Sequence, residues 1–121
     1  MAKILVADDD TVLLSLLKTL MELEGQQVLT VTRPEQIIPA AKQERPALIL
    51  MDFHLSGGDV IDILVELKTL DGLSEIPILV TSGMDREVAC LRAGADGFIL
   101  KPFRPAELLA KVHEIMASSG A

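Results

Sequence analysis

Aromatic side chains are nearly missing from this chain of 121 residues: they make up 2% of it, with no Trp and no Tyr. Reading single-stranded nucleic acid by base stacking needs exposed rings, so that class is disfavoured and the core must be aliphatic. Cysteine is almost as scarce. The single Cys90 excludes an internal disulfide and any Cys-rich zinc site, and suits a reducing compartment. It reads as a small apolar residue on a helix. Positive charge is short as well, with 11 Lys and Arg against 18 Asp and Glu and a formal net charge of -7. Such a surface disfavours a polyanion such as DNA and suits a basic protein surface or a metal. Long apolar runs are lacking too, because Lys18, Glu22 and Glu24 interrupt the best candidate for a membrane span. Met1-Ala2-Lys3 leads directly into a strand pattern, leaving no room for a signal peptide. The expectation is one soluble, cytoplasmic domain over residues 1–121, long enough to bury a core without staples.

Half of the residues are hydrophobic, and they alternate between short continuous runs and helical spacing. This is the βα repeat of a parallel sheet covered on both faces. The first helix pattern carries Leu13, Leu16, Leu17 and Leu20 and stops at Gly25, with Asp10 or Thr11 as its cap. After a strand at Val28 to Val31, Thr32 and Glu35 are spaced as a capping box around Pro34, and Pro39 predicts a kink or early end in the second helix. A third helix is expected from about Asp59 to Leu70, its faces set by Ile61, Leu64, Val65 and Lys68, before Asp71-Gly72 breaks it. The fourth, Asp85 to Ala93, ends at Gly94 and has so few apolar positions that it should be the most mobile element. The last starts near Pro105 and Glu107 and runs to about Ala117, before a fraying tail from Ser118 to Ala121.

Four of the apolar runs end on residues that carry chemistry. Ile4 to Ala7 runs into Asp8, Asp9 and Asp10; Leu48 to Met51 into Asp52; Ile78 to Val80 into Thr81 and Ser82; Phe98 to Leu100 into Lys101. One parallel sheet would gather all of them at its carboxyl edge, where open α/β sheets bind ligands. Neighbouring carboxylates repel one another and are costly to bury without a partner, so a cation is implied, and Mg²⁺ suits hard oxygen donors. Asp10 reads better as a residue of the helix start, and Asp8 and Asp9 have the same bland alternative as capping acids. Asp52 at a strand end could act as a nucleophile on phosphorus, with Lys101 and the metal neutralising the phosphoryl oxygens and Thr81 donating its hydroxyl. Taken singly, Lys101 could be a snorkelling surface cation and Thr81 an ordinary β-branched strand residue.

Ala7-Asp8-Asp9-Asp10, Met51-Asp52, Val80-Thr81-Ser82 and the run from Gly94 to Phe103 resemble, in order and over essentially the whole chain, the signature of the receiver domain of two-component response regulators. The resemblance implies a flavodoxin-like, doubly wound sheet of five parallel strands in order 2-1-3-4-5 with five helices. It implies that Asp52 is phosphorylated by a phosphohistidine on a sensor histidine kinase or histidine phosphotransfer protein. Mg²⁺ would be held by Asp9, Asp52 and the backbone carbonyl of His54, with Asp8 acting directly or through water. Thr81 and Phe98 match the switch pair that reshapes the face of the fourth helix, fifth strand and fifth helix, where a downstream protein or output domain binds. Lys101 matches the phosphate-contacting lysine, and Lys101-Pro102 the family's cis peptide. His54 and Gly83 match the positions that flank the approach of water to the phosphoryl group, beside Ser82. The domain itself would be a signalling phosphoacceptor and no enzyme beyond its own phosphotransfer and slow autodephosphorylation, with neither nucleic acid nor membrane as a direct partner.

Some positions depart from the family pattern. Ser56, Gly58 and Val60 replace the usual Pro, Met and Gly after the phosphorylation site, which predicts a more flexible loop. Gly97 and Ala106 replace the acid and Arg of the winged-helix branch, arguing against its mode of dimerisation. Three rival readings compete. A phosphohydrolase using an aspartyl phosphate would carry a second acid where His54 stands. A flavin or nucleotide module would place Gly or hydroxyl residues where this chain has an Asp run. A degenerate receiver that only binds partners would have lost phosphotransfer positions that are all present here.

Overall fold

A computed structural model describes residues 2–55 and 58–119. Five parallel strands form the sheet: β1 Lys3–Ala7, β2 Gln27–Val31, β3 Leu48–Asp52, β4 Ile78–Ser82 and β5 Gly97–Leu100. Their spatial order is 2-1-3-4-5, as expected. Between them run α1 Thr11–Leu23, α2 Ile37–Glu44, α3 Ile61–Thr69 and α4 Glu87–Arg92, followed by α5 Pro105–Ser119.

Strand residues alternate between two cores, as the pleat requires. Leu5, Ala7, Ile49, Met51, Ile78 and Val80 meet Ile37 and Ala41 of α2, Leu64 and Leu67 of α3 and Cys90 of α4. Ile4, Val6, Leu48, Leu50, Leu79 and Ile99 meet Leu14, Leu17 and Met21 of α1 and Leu108, Val112 and Ile115 of α5. Both faces are therefore covered, which explains why β3 is continuously apolar up to its last residue, Asp52, and β4 up to its last two, Thr81 and Ser82.

Several local expectations are corrected. The buried stripe of α1 is Leu14, Leu17 and Met21, whereas Leu16 is exposed and Leu13 and Leu20 are only half-buried. No capping box forms between Thr32 and Glu35; a short 3-10 turn over Pro34–Gln36 leads into α2, and the Gln36 Oε1 accepts the Thr32 and Arg33 N–H groups at 3.1 Å each. Pro39 does not end α2 early, because it is the third residue of the helix, where no intrahelical donor is needed. The third helix begins at Ile61, since Gly58–Asp59 pairs antiparallel with His54–Leu55 in a small ladder. Its inner face is Leu64 and Leu67, while Val65 is exposed. In the same loop Leu55 and Val60 are fully buried; Ser56 lies outside the described residues, as do Gly120 and Ala121 of the tail. The fourth helix is shorter than expected, and α5 longer, reaching Ser119.

The acids after β1 divide as the chemistry suggests. Asp10 is the N-cap of α1, its Oδ1 accepting the N–H groups of Val12 and Leu13 at 3.1 Å each. Asp10→Ala should lower stability by about 1 kcal/mol and Asp10→Asn by clearly less. Urea unfolding with an unchanged m-value checks this, and divalent-cation binding should be the same in both variants.

Candidate functional site at the carboxyl edge of the sheet

Register brings the four strand ends together. Ala7 pairs with Met51, so Asp8 follows β1 beside Asp52, and Asp52 itself pairs with Thr81. Backbone bonds fix these ends: Asp8 N–H to the Val31 carbonyl at 3.1 Å, Phe53 N–H to the Thr81 carbonyl at 2.7 Å, and Lys101 N–H to the Ser82 carbonyl at 2.7 Å. Among the described residues Asp8, Asp52, Thr81 and Ser82 are the buried polar ones, while Asp9 is exposed beside them. The Lys101 Nζ bridges the Asp8 Oδ2 at 3.2 Å and the Asp52 Oδ2 at 3.3 Å. The other oxygen of Asp8 accepts the Asp10 N–H at 2.9 Å, tying the acidic turn to the start of α1.

The charges do not balance. Burial pushes the Asp52 carboxyl above its ordinary range and the charge of Asp8 pushes it further, against the opposing ammonium of Lys101 and the His54 N–H. Burial works against the Lys101 ammonium, but Asp8 and Asp52 outweigh it and hold its pKa above the ordinary lysine value. One ammonium cannot satisfy three acids. Ligand oxygens of Asp8, Asp9 and Asp52 lie within 4.8 Å of one another. Such a set of hard donors, with excess negative charge, fits a small divalent cation such as Mg²⁺.

The remaining candidates stand around this centre. Thr81 is buried on the rung of Asp52, and Phe98, half-buried on β5, packs against the core cluster that includes α4. Ser82 is fully buried, and its Oγ accepts the Met84 N–H at 3.1 Å, so its hydroxyl shapes the start of the next loop. Gly83 and His54 are exposed, and the His54 N–H makes a long contact of 3.4 Å with the Asp52 Oδ1. The Lys101–Pro102 peptide is cis. Two residues that sequence reading did not single out also belong to this rim: Phe53, whose ring meets that of His54, and Arg86 above it. Nothing in their spacing announces the contact, which arises only when α4 packs on the sheet.

A doubly wound sheet with an acidic triad and a lysine at its carboxyl edge defines the class of protein. The model of the response regulator receiver domain matches residues 4–113, and the chain belongs to that family. It is 32% identical to the transcriptional regulatory protein PrrA of Mycobacterium tuberculosis, over 98% of this chain and 52% of the relative. It is 34% identical to the DNA-binding response regulator MtrA of the same species, over 92% of this chain and 49% of the relative. The chain thus spans about half the length of these relatives. A solved CheY-like receiver domain protein from Methanospirillum hungatei superimposes with a TM-score of 0.91 at 28% identity, covering 99% of this chain and 97% of the other. No helix among the described residues is long and apolar enough to cross a membrane.

The uncompensated charge of Asp52 makes the metal-free fold sensitive to pH. Since the folded state holds the Asp52 proton more tightly than the unfolded chain, this group favours folding below the ordinary value of 3.8, and the contribution is lost as pH rises through the raised folded value. At neutral pH Asp52→Asn should therefore raise the melting temperature of the metal-free protein. The gain should shrink when the pH falls through the carboxylate range, or when Mg²⁺ is added to both proteins. Melting curves across pH, with and without Mg²⁺, check the sign.

Proposed function

We propose that the chain is a phosphoacceptor switch, in which Asp52 accepts a phosphoryl group from the phosphohistidine of a sensor kinase or phosphotransfer protein. The observation that carries this reading is the Lys101 ammonium bridging two buried carboxylates, Asp8 and Asp52, the second of them on the rung of Thr81. An Asp52 oxygen attacks phosphorus while the P–N bond to the donor breaks and its electron pair stays on the imidazole. Asp8, Asp9 and Asp52, with the backbone carbonyl of His54, would hold Mg²⁺, which when bound supplies positive charge against the phosphoryl oxygens. Lys101 is placed to exchange its Asp52 contact for one to a phosphoryl oxygen, and the Thr81 hydroxyl to donate to another. Autodephosphorylation reverses the modification with water in place of a donor, and His54, Ser82 and Gly83 tune how water reaches the site.

Phosphorylation then acts on binding. Reorientation of Thr81 and Phe98 shifts the face of α4, β5 and α5, on which Met84, Val88, Leu91 and Leu100 already expose apolar surface in and around α4 and β5. A downstream protein or an output domain covers that face. The relatives of twice the length that include a DNA-binding response regulator favour an output domain. Nucleic acid is not a direct partner of this acidic domain, and we place the protein in the cytoplasm.

Acetyl phosphate with Mg²⁺ should add one phosphoryl group, located on Asp52 by mass spectrometry, and Asp52→Asn should take none. Unchanged mass, under conditions that modify another receiver domain, would refute the reading in favour of a receiver that binds partners without phosphorylation. Thr81→Ala should still be modified but should lose most of the hydrogen-exchange response expected between residues 81 and 103. That result follows if the hydroxyl makes the contact that distinguishes the two states.

A further inference from the structure

A row of three side chains crosses from the start of α4 to the loop after Asp52. The guanidinium of Arg86, the N-cap residue of α4, lies 5.8 Å from the centroid of the Phe53 ring. Phe53 meets the His54 imidazole edge-on, with ring centroids 4.8 Å apart and planes at 71°. Arg86 is steadied from its own loop by the contact of its Nη2 with the Met84 Sδ at 3.8 Å, and the Met84 N–H in turn reaches the Ser82 Oγ. Phe53 is buried and tied by its backbone to Thr81, so its ring is a fixed partner for both neighbours.

We propose that Arg86 is a positioning residue, which through the Phe53 ring sets where the His54 imidazole stands at the rim of the Asp52 site. The inference rests on the phosphoacceptor reading for its consequence: the placement of α4 and the lifetime of the phosphoryl group are linked. The geometry supports this in two ways. First, only Cys90 of the helix is buried, and its first turn is tied by the Asp85 Oδ1, which accepts the Glu87 N–H at 3.2 Å, and by the Arg86 contact with Phe53, so that contact is one of the ties that hold the turn. Secondly, His54 is exposed and, among the described residues, its ring meets only Phe53, so its place depends on that ring and on the short ladder with Asp59. During dephosphorylation a water oxygen attacks phosphorus, the P–O bond to Asp52 breaks with its electron pair returning to the carboxylate, and the water proton leaves with solvent or phosphate. His54 is exposed two residues from Asp52, at the rim where the proposed function has water approach, so a displaced imidazole should change the rate.

The test uses three substitutions on the surface, where folding is not at stake: Arg86→Gln, Arg86→Lys and His54→Ala, with the Arg86→Gln/His54→Ala double variant. In the unmodified protein, the ring resonances of His54 should move in Arg86→Gln and return towards their original position in Arg86→Lys, which keeps the cation. After phosphorylation, phosphate release should change about twofold to fivefold in Arg86→Gln, the range that corresponds to an exposed cation–π contact. The change should have the same direction as in His54→Ala, and Arg86→Gln should add nothing in the His54→Ala background. Unmoved His54 resonances in Arg86→Gln, or an Arg86→Gln effect that persists undiminished without His54, would overturn the proposal even if the protein is phosphorylated. A protein that takes no phosphate would instead refute the phosphoacceptor reading and the lifetime claim with it, and moved His54 resonances would then support the positional link alone.

Discussion

The ammonium of Lys101 is the constraint around which the carboxyl edge is organised. Two carboxylates on different strands are buried within reach of one point charge, at 3.2 Å and 3.3 Å. Burying either acid alone would be costly, and a flexible lysine with three donors can serve both where a planar guanidinium would favour one. The position of that ammonium is inherited from the sheet. Lys101 follows β5 directly and is pinned through its N–H to Ser82, while Asp8 is pinned to Val31 at the far side of β1. Compensation is nevertheless incomplete, as the raised pKa of Asp52 shows. The sheet thus presents the Asp52 carboxylate in surroundings that favour arrival of further positive charge.

The opposite edge of the sheet handles charge differently. Lys68 of α3 donates to the Asp96 Oδ2 at 2.9 Å and to the Ile76 carbonyl at 3.0 Å, and the same Asp96 oxygen accepts the Ile78 N–H at 2.8 Å. Here one cation meets one anion and the backbone satisfies the rest. The effect is to clamp the loop between α4 and β5. Gly94 in that loop has a φ of +111°, and a Cβ there would stand 2.7 Å from the Lys68 Cγ, so glycine is required both by conformation and by space. The far end of α4 is therefore fixed, whereas its first turn is held by the Asp85 carboxylate on the Glu87 N–H, by Arg86 and by apolar contacts of a single buried residue.

Both cores and the convergence of Asp8, Asp52, Thr81 and Lys101 were legible in the sequence because each depends on a run of apolar residues ending abruptly, whereas the sheet order followed only from the resemblance to receiver domains. Continuous runs imply two covered faces, and two covered faces in a parallel sheet align the strand ends. Helix details were less legible. A surplus of leucines in α1 lets more than one stripe look apolar, and only the direction of approach to β1 selects Leu14 over Leu16. Pro39 was misread because its effect depends on its distance from the helix start, which the 3-10 turn displaces. The contact of Arg86 with Phe53 had no sequence signal, since neither residue type is unusual in its place and the pairing depends on how α4 lies on the sheet.

Exposed apolar surface and weak anchoring coincide at α4. Met84, Val88 and Leu91 turn hydrophobic groups to solvent on this helix and the loop before it, only Cys90 of the helix being buried, with Leu100 exposed on β5. A partner covering that surface gains apolar burial only in the positions of α4 that fit it, and so selects among them. Within the proposed switch this selection cannot be one-way. If phosphorylation at Asp52 favours one placement of α4, a partner that binds this placement must favour phosphorylation by the same free energy. The net preference is set by differential contacts alone, and the hydroxyl of Thr81, the ring of Phe98 and the guanidinium of Arg86 are groups that can differ between placements. The buried strands cannot, because moving them would break the register that holds Lys101 between its two acids.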